Sequence, residues 1–306
     1  MENLKFKFRK GTILYLGIAL MILCSCGQQK QSAGEADDAV IMENSGSGAS
    51  EIPMKNEPEK TRKTDMEEDI ASENEALTEN TEFSENDDSK EEENMVDNIE
   101  VFTQNSIRIK SSAGTIYIDP FQMKEEPHDA DFILVTHDHY DHYSPEDIKK
   151  AAGDNTVFIA PEKMKNKIKE ISGLMKKVET VVPGSDYEFE GLEFETVPAY
   201  NIAKLFHPKS SKWVGYVLKL DEKRIYVAGD TDATDEAKAV NCDIALIPIG
   251  GTYTMDAKQA AGLINTIKPS VAIPTHYGNI VGSPKDGEVF RENVDDPVSV
   301  ELKIKF

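Results

Sequence analysis

The stretch "ILVTHDHYDHYSP", residues 133–145, packs three histidines and two aspartates into the six positions from His137 to His142. The whole chain holds only six histidines. A fold alone has no use for such crowding, because burying imidazole carries a desolvation cost that apolar side chains avoid. Binding a divalent metal does need it, since neutral imidazole and carboxylate are the ligands such ions take. "ADFILVTH" reads as a strand, which puts the cluster at a strand's carboxyl end, where open α/β sheets place their sites. His137 and His139 are two apart, so an extended strand end points both the same way. Asp141 and His142 follow where the chain turns towards Ser144, so they approach from another direction. One strand end thus supplies ligands to two neighbouring positions.

Working outward, short strand-like and helix-like runs alternate. "SIRIKS" and "GTIYIDP" precede the loop as strands. "SPEDIKKAAG" follows it as a helix, with Ser144 at the N-cap, Pro145 in the first turn and Gly153 at the end. "NTVFIAP" is a strand, and a Lys-rich amphipathic helix is predicted over Glu162 to Ile171. "KVETVVP" comes next, then a hairpin turning at Glu190-Gly191 and another turning at Asp221-Glu222. "DIALIPIGG" is apolar almost throughout, as a strand covered on both faces should be. "TMDAKQAAGLINTIKP" is a helix with Asp256 and Gln259 in capping-box spacing, and "SVAIPTHYG" is the last core strand. Strands interleaved with helices indicate an α/β layered domain over residues 99–306.

His-x-His-x-Asp-His is the signature loop of the metallo-β-lactamase superfamily, and the sequence resembles that superfamily over essentially all of residues 100–290. The family's early strand-end aspartate is matched by Asp119 in "IYIDPF", its bridging carboxylate by Asp230 in "VAGDTD", and its final histidine by His276 in "AIPTHYG". The resemblance is closest to the compact hydrolase branch that includes ascorbate-phosphate lactonases and the N-acylphosphatidylethanolamine phospholipase D type. It implies a four-layered αβ/βα sandwich with metals at one edge between two sheets. It also implies a second metal site of Asp141, His142 and His276, with Asp230 shared, and a first site of His137, His139 and Asp230. Asp119 is expected to support the metal loop through backbone hydrogen bonds.

One motif departs from the family. Many relatives carry a histidine after Pro-Ala-x, completing the first site; here the stretch is "VPAYN", and Asn201 stands in that place. Asn is a poor ligand for zinc and an acceptable one for harder ions. The first site is therefore expected to bind its ion weakly, or to favour Mn2+ or Fe2+ over Zn2+. His207, six residues on, has three readings: a replacement ligand, a catalytic donor to a substrate oxygen, or an exposed loop histidine. Trp213 and Tyr216 are expected to pack the sheet, Tyr200 and Tyr253 to line the cleft or pack, and His128 to lie on the surface.

The N-terminal third is different in character. Lys5, Lys7, Arg9 and Lys10 precede an apolar run from Thr12 to Leu23 that is shorter than the roughly 20 residues of a spanning helix. With Leu23-Cys24-Ser25-Cys26-Gly27 after it, residues 1–25 resemble a lipoprotein signal peptide cleaved before a lipidated Cys26. Such a protein would sit lipid-anchored on the extracytoplasmic face of a bacterial cell membrane. Residues 26–98 are rich in Glu, Asp, Asn and Ser, too poor in apolar area to offset ordering entropy, and read as an acidic disordered tether. The chain's net charge of -22 disfavours nucleic acid as a partner. Of three cysteines, only Cys242 would remain with a free thiol, which leaves no disulfide within the mature chain.

The chemistry expected is hydrolysis by a hydroxide activated on one or two divalent ions, with Asp141 both ligating and orienting it. The substrate is a small-molecule, lipid or envelope ester such as a phosphodiester or lactone. The competing reading is a non-catalytic metal- or solute-binding lipoprotein, which Asn201 keeps open.

Overall fold

A computed structural model describes residues 94–306 of the chain. The expected signal peptide, Cys26 and all but the last few residues of the expected tether lie outside the described residues. The folded part begins slightly earlier than residue 99, because Met95 and Val96 are already buried in the core.

Alternation builds the first sheet. In the strand β4 (Ala130–Leu134), Phe132 and Leu134 face one hydrophobic cluster while Ile133 and the following Val135 face another, the period of two that a pleated strand imposes. Its companions are β1 (Ile99–Val101), β2 (Ile107–Ser111), β3 (Gly114–Ile118), β5 (Ala152–Pro161) and β6 (Lys177–Val181), in the spatial order β1-β2-β3-β4-β5-β6. The first three strands form an antiparallel meander, and the pairs from β3 to β6 are parallel.

The second sheet repeats this plan with one more strand. It orders β13 (Ser299–Val300), β12 (Val271–Thr275), β11 (Ile244–Pro248), β10 (Lys223–Val227), β9 (Trp213–Leu220), β8 (Leu192–Ala199) and β7 (Asp186–Phe189). From β7 to β10 the pairs are antiparallel, and from β10 to β13 parallel. Both hairpins turn where the sequence places them, with positive φ at Glu190, Gly191, Asp221 and Glu222, the backbone that matches strand twist in two-residue turns. All five residues of β11 are buried, as its apolar run requires.

Four layers result, the α/β sandwich that the sequence leads one to expect. Inner faces of both sheets share one core, including Ile107, Ile116, Leu134 and Ile159 from the first and Phe194, Tyr216, Leu218 and Ile225 from the second. The first sheet's outer face is covered by α1 (Pro145–Ala151) and the segment 162–174, through Ile148, Met164, Ile168 and Ile171. The second sheet carries α2 (Asp235–Lys238), α3 (Ala257–Ile267) and α4 (Asp286–Asn293), whose Ala237, Leu263, Ile264 and Phe290 join the main core.

Ser144 caps α1 through the Asp147 amide, and Asp256 and Gln259 form the capping box of α3. Two expectations fail. The predicted helix over Glu162–Ile171 is a chain of 3-10 turns at Glu162–Met164, Ile168–Glu170 and Ser172–Leu174. Gly153 does not end α1; it lies in β5, where a Cβ would stand 2.7 Å from the His128 carbonyl oxygen.

Candidate metal centre

The carboxyl ends of β3, β4, β10 and β12 meet at one edge of the sandwich, and each delivers a residue there: Asp119, the His137–His142 loop, Asp230 and His276. Three hydrogen bonds stitch the sheets together at this edge. The Tyr216 hydroxyl donates to the Val135 carbonyl (2.7 Å), the Val214 amide to Thr136 (3.2 Å), and the His276 amide to Gln104 (2.8 Å). Glycine is required where β11 ends, since a Cβ on Gly250 would lie 2.4 Å from the His276 carbonyl oxygen.

Asp119 is fully buried and does more than hold backbone. It accepts from the Thr136 amide at 2.7 Å, from the Asn105 amide group at 2.7 Å, and sits 2.7 Å from His142 Nδ1. That contact turns His142 Nε2 towards the cluster, fixing the tautomer as the partners of metal-ligating histidines do. His142 Nε2 then stands 3.1 Å from His276 Nε2, 3.4 Å from Asp230 Oδ1 and 3.7 Å from Asp141 Oδ2. His276 Nε2 is 3.3 Å from Asp141 Oδ2 and 3.4 Å from Asp230 Oδ1. Asp141, His142 and His276 form one donor set able to hold an ion, the grouping expected for the second site.

A further set joins His137, His142 and Asp230, and another joins His137, His139 and His207. His207 is 1% exposed, so it is no surface histidine. Its ring lies 5.0 Å from that of His137 and 4.8 Å from that of His139, and its Nε2 is 3.2 Å from Asp230 Oδ2. It stands beside the first pair, in the place that Asn201 leaves without an imidazole. Asn201 is itself buried and turned to another task. Its side-chain amide donates to the carbonyls of Phe206 (3.0 Å) and Tyr253 (2.7 Å), while its backbone amide donates to the His207 carbonyl (2.8 Å). The carboxamide thus clamps the loop that presents His207, which sits at φ 55. The premise for a weak first site, one imidazole too few, does not hold in this arrangement.

The electrostatics suit cation binding. Burial, helped by the charge of His142, holds His137 well below the usual imidazole range, and burial with His207 lowers His139. Burial opposes ionisation of Asp230, yet the His276 and His142 imidazoles outweigh it and keep this carboxyl well below its ordinary range. Asp141 is lowered in the same way, its burial overcome by the His276 hydrogen bond and the charge of His142. For His142, burial is outweighed by Asp230 and Asp119, which raise it to about 9. Among the described residues, three buried atoms of this centre, Asp230 Oδ1, His207 Nε2 and Asn201 Oδ1, have no hydrogen-bond partner. Orphaned buried polar atoms are rare in native proteins, and a bound ion is one of the standard explanations. Imidazole nitrogen and carboxylate oxygen in these numbers fit a divalent transition-metal ion.

Sequence reasoning missed two members. Gln104 approaches Asp141 Oδ2 at 3.5 Å and His276 at 3.4 Å through its side-chain amide; in "TQNS" it reads as an ordinary turn, and no local signal marks it. Trp213, expected to pack the sheet, sets its ring 4.9 Å from both His137 and His139 and 5.3 Å from His207. Tyr216 packs as expected and is fully buried. Tyr200 points away, its hydroxyl donating to Glu236, and His128 is exposed. Asp232 accepts from the Ile202 amide and pairs with Lys204, bracing the same loop. Cys242 is a buried free thiol.

Comparisons with known proteins show the family and the fold. Residues 98–276 match the Beta-lactamase superfamily domain. A UPF0173 metal-dependent hydrolase of Methanopyrus kandleri is 32% identical over 207 residues, spanning 62% of this chain and 88% of the relative. One from Pyrococcus abyssi is 35% identical over 202 residues, spanning 60% and 87%. Among solved structures, a protein of Parabacteroides distasonis described as a metal-dependent hydrolase has a TM-score of 0.57 at 29% identity, covering 68% of this chain and 93% of its own. Igni18, a metallo hydrolase of Ignicoccus hospitalis, shares the fold with a TM-score of 0.55 at 22% identity, covering 67% and 93%.

Proposed function

Because the chain belongs to the beta-lactamase superfamily, and within it to the UPF0173 metal-dependent hydrolases, we propose that it cleaves a phosphodiester, lactone or similar ester at two adjoining divalent ions. The ions would be held by His137, His139 and His207 on one side and by Asp141, His142 and His276 on the other, with Asp230 between. The observation that carries this reading is the interlocking of the donor sets: His137 belongs to two of them, His142 to two, and Asp230 reaches towards both sides.

A divalent pair in such a setting supplies hydroxide at neutral pH and polarises the scissile bond. The chain's own residues do the rest. Asp119 and Thr136 fix the loop and the His142 ring. Asp141, with 11% of its side chain exposed against 4% for Asp230, is the carboxylate nearer to solvent. Its lowered pKa keeps it ionised, so it orients the attacking water by accepting a hydrogen bond and is ill suited to storing a proton. Gln104 would steady Asp141 and His276 through its side-chain amide, and Trp213 packs its ring against His137 and His139. Zn2+ suits three imidazoles best, while Mn2+ and Fe2+ tolerate the carboxylate-rich side.

The resemblance to lactonases and to phospholipase D-type relatives supports the ester and phosphodiester classes. A lipidated Cys26 and an acidic tether would hold the domain at the extracytoplasmic face of the membrane, near lipid or envelope esters. The test is direct. His142→Ala and Asp230→Ala should each abolish hydrolysis of bis-aryl phosphodiesters, lactones and aryl esters while lowering metal content. A wild-type protein that holds metal and hydrolyses nothing on that panel would favour a binding role.

A further inference from the structure

Large apolar side chains are not left outside at random on this surface. Among the described residues nine are exposed, and four of them border the donor cluster: Tyr140 at 66%, Ile202 at 66%, Leu205 at 97% and Phe206 at 48%. Tyr140 stands between His139 and Asp141, and the other three lie between Asn201 and His207. Clustered exposed apolar surface marks a place where something binds.

The loop 202–206 could have folded its side chains inward, but polar contacts hold its backbone instead. Asn201 donates to the Phe206 carbonyl, the Ile202 amide donates to Asp232 (2.9 Å), and Lys204 pairs with Asp232. The Phe206 ring meets Tyr253 edge-on at 4.7 Å, and Tyr140 meets Phe121 edge-on at 6.0 Å. The backbone is pinned and its apolar side chains are presented.

We propose that Ile202, Leu205 and Phe206, with Tyr140 and Tyr253, form a lip that seats the acyl, alkyl or aryl part of the substrate. This rests on the hydrolase reading and narrows it to esters with a substantial apolar group. Position argues for substrate over a macromolecular occupant. Asn201 and His207 frame the loop, so a large body seated there would cover the donors, whereas a substrate leaving them must pass over it. Charge argues the same way. Lys204 is the loop's one cation and is already paired, so the lip offers nothing free to an anionic headgroup or polymer.

The test uses the full-length chain loaded with Zn2+ and a series of n-alkylphosphonates from methyl to octyl, whose charged end mimics a hydrolysed phosphoester. A fully buried methylene is worth about fourfold in affinity, so an open lip should give about twofold per carbon and about 100-fold across the series. Calorimetry on the Leu205→Ser/Phe206→Ser variant should show that gain shrink to about tenfold or less, with metal content equal to wild type. Leu205→Met/Phe206→Leu, which keeps the surface apolar, should retain it. Equal affinity for methyl- and octylphosphonate overturns the lip while leaving the hydrolase reading intact, and so does failure of the metal-loaded protein to bind any member. Chain-length-dependent binding that the Ser variant loses, with no ester cleaved, upholds the lip and overturns the hydrolytic reading. Affinity independent of chain length, together with vesicle binding or self-association abolished by the same Ser variant, would hand the surface to a membrane or to a second copy and overturn the proposal.

Discussion

Asn201→His, which puts at this place the histidine that the family resemblance leads one to expect, is predicted to weaken the metal centre instead of completing it. The Asn201 carboxamide donates to two buried carbonyls, of Phe206 and Tyr253. A neutral imidazole has one N–H, so at least one carbonyl loses its partner at a cost of about 1–3 kcal/mol. The larger ring must also fit a buried site beside His207, whose Nδ1 is 3.3 Å from the Asn201 amide nitrogen, and overpacking adds about 1–3 kcal/mol. The loop presenting His207 would relax, and first-site affinity should fall by more than the 10–100-fold typical of changes around a ligand. Asn201→Ala, which only releases the clamp, should cost about 10–100-fold. His207→Ala, which removes a donor, should cost more than about 100-fold, or about 2.7 kcal/mol. Competition with a chromophoric chelator measures all three. The reasoning is refuted if Asn201→His binds metal more tightly than wild type.

Three further outcomes follow from the site, the core and the leader. His142 is raised to about 9, so in metal-free protein it carries a proton at pH 7–8 that an ion at Nε2 must expel; calorimetry in two buffers should find close to one proton released per chain at that group. The sign is fixed: the folded pKa lies above the unfolded value of about 6.5, so the stabilisation of metal-free protein is complete below that pH and is lost as pH rises towards 9, seen as a falling Tm. Tyr216→Phe strands the buried Val135 carbonyl and should destabilise the fold by about 1–3 kcal/mol in denaturant titration, loosening the sheets at the metal edge. Cys26→Ala should release the protein from the membrane fraction or block its processing; unchanged partition with an intact leader would contradict lipid anchoring.

The sheets were legible because burial on two faces writes itself into sequence. "ADFILV" and "DIALIP" are apolar on both sides, and each hairpin turn carries one residue that accepts positive φ readily, Gly191 and Asp221. The helix expected over Glu162–Ile171 failed for an instructive reason. Met164, Ile168 and Ile171 recur at helical spacing, but successive 3-10 turns bury the same three residues. Among the helices, α4 gave no warning because only Gly287 and Phe290 are buried, which is too little for an apolar stripe. At the site, the His137–His142 loop declared itself by local spacing, and Asp230 and His276 by family resemblance. His207 was legible as a candidate but not as one role among its three readings, since its approach depends on a left-handed backbone and on the clamp from Asn201, and neither leaves a periodic trace. Gln104 and Trp213 reach the centre only through the pairing of distant strands.

The most direct test of the centre described here is the number of metal ions per chain in natively purified wild-type protein and in His207→Ala. Two ions in the wild type and one in the variant, with the variant still folded, are expected if His207 completes the first site. A wild-type protein holding no transition metal, or a variant that still holds two ions, would contradict the account.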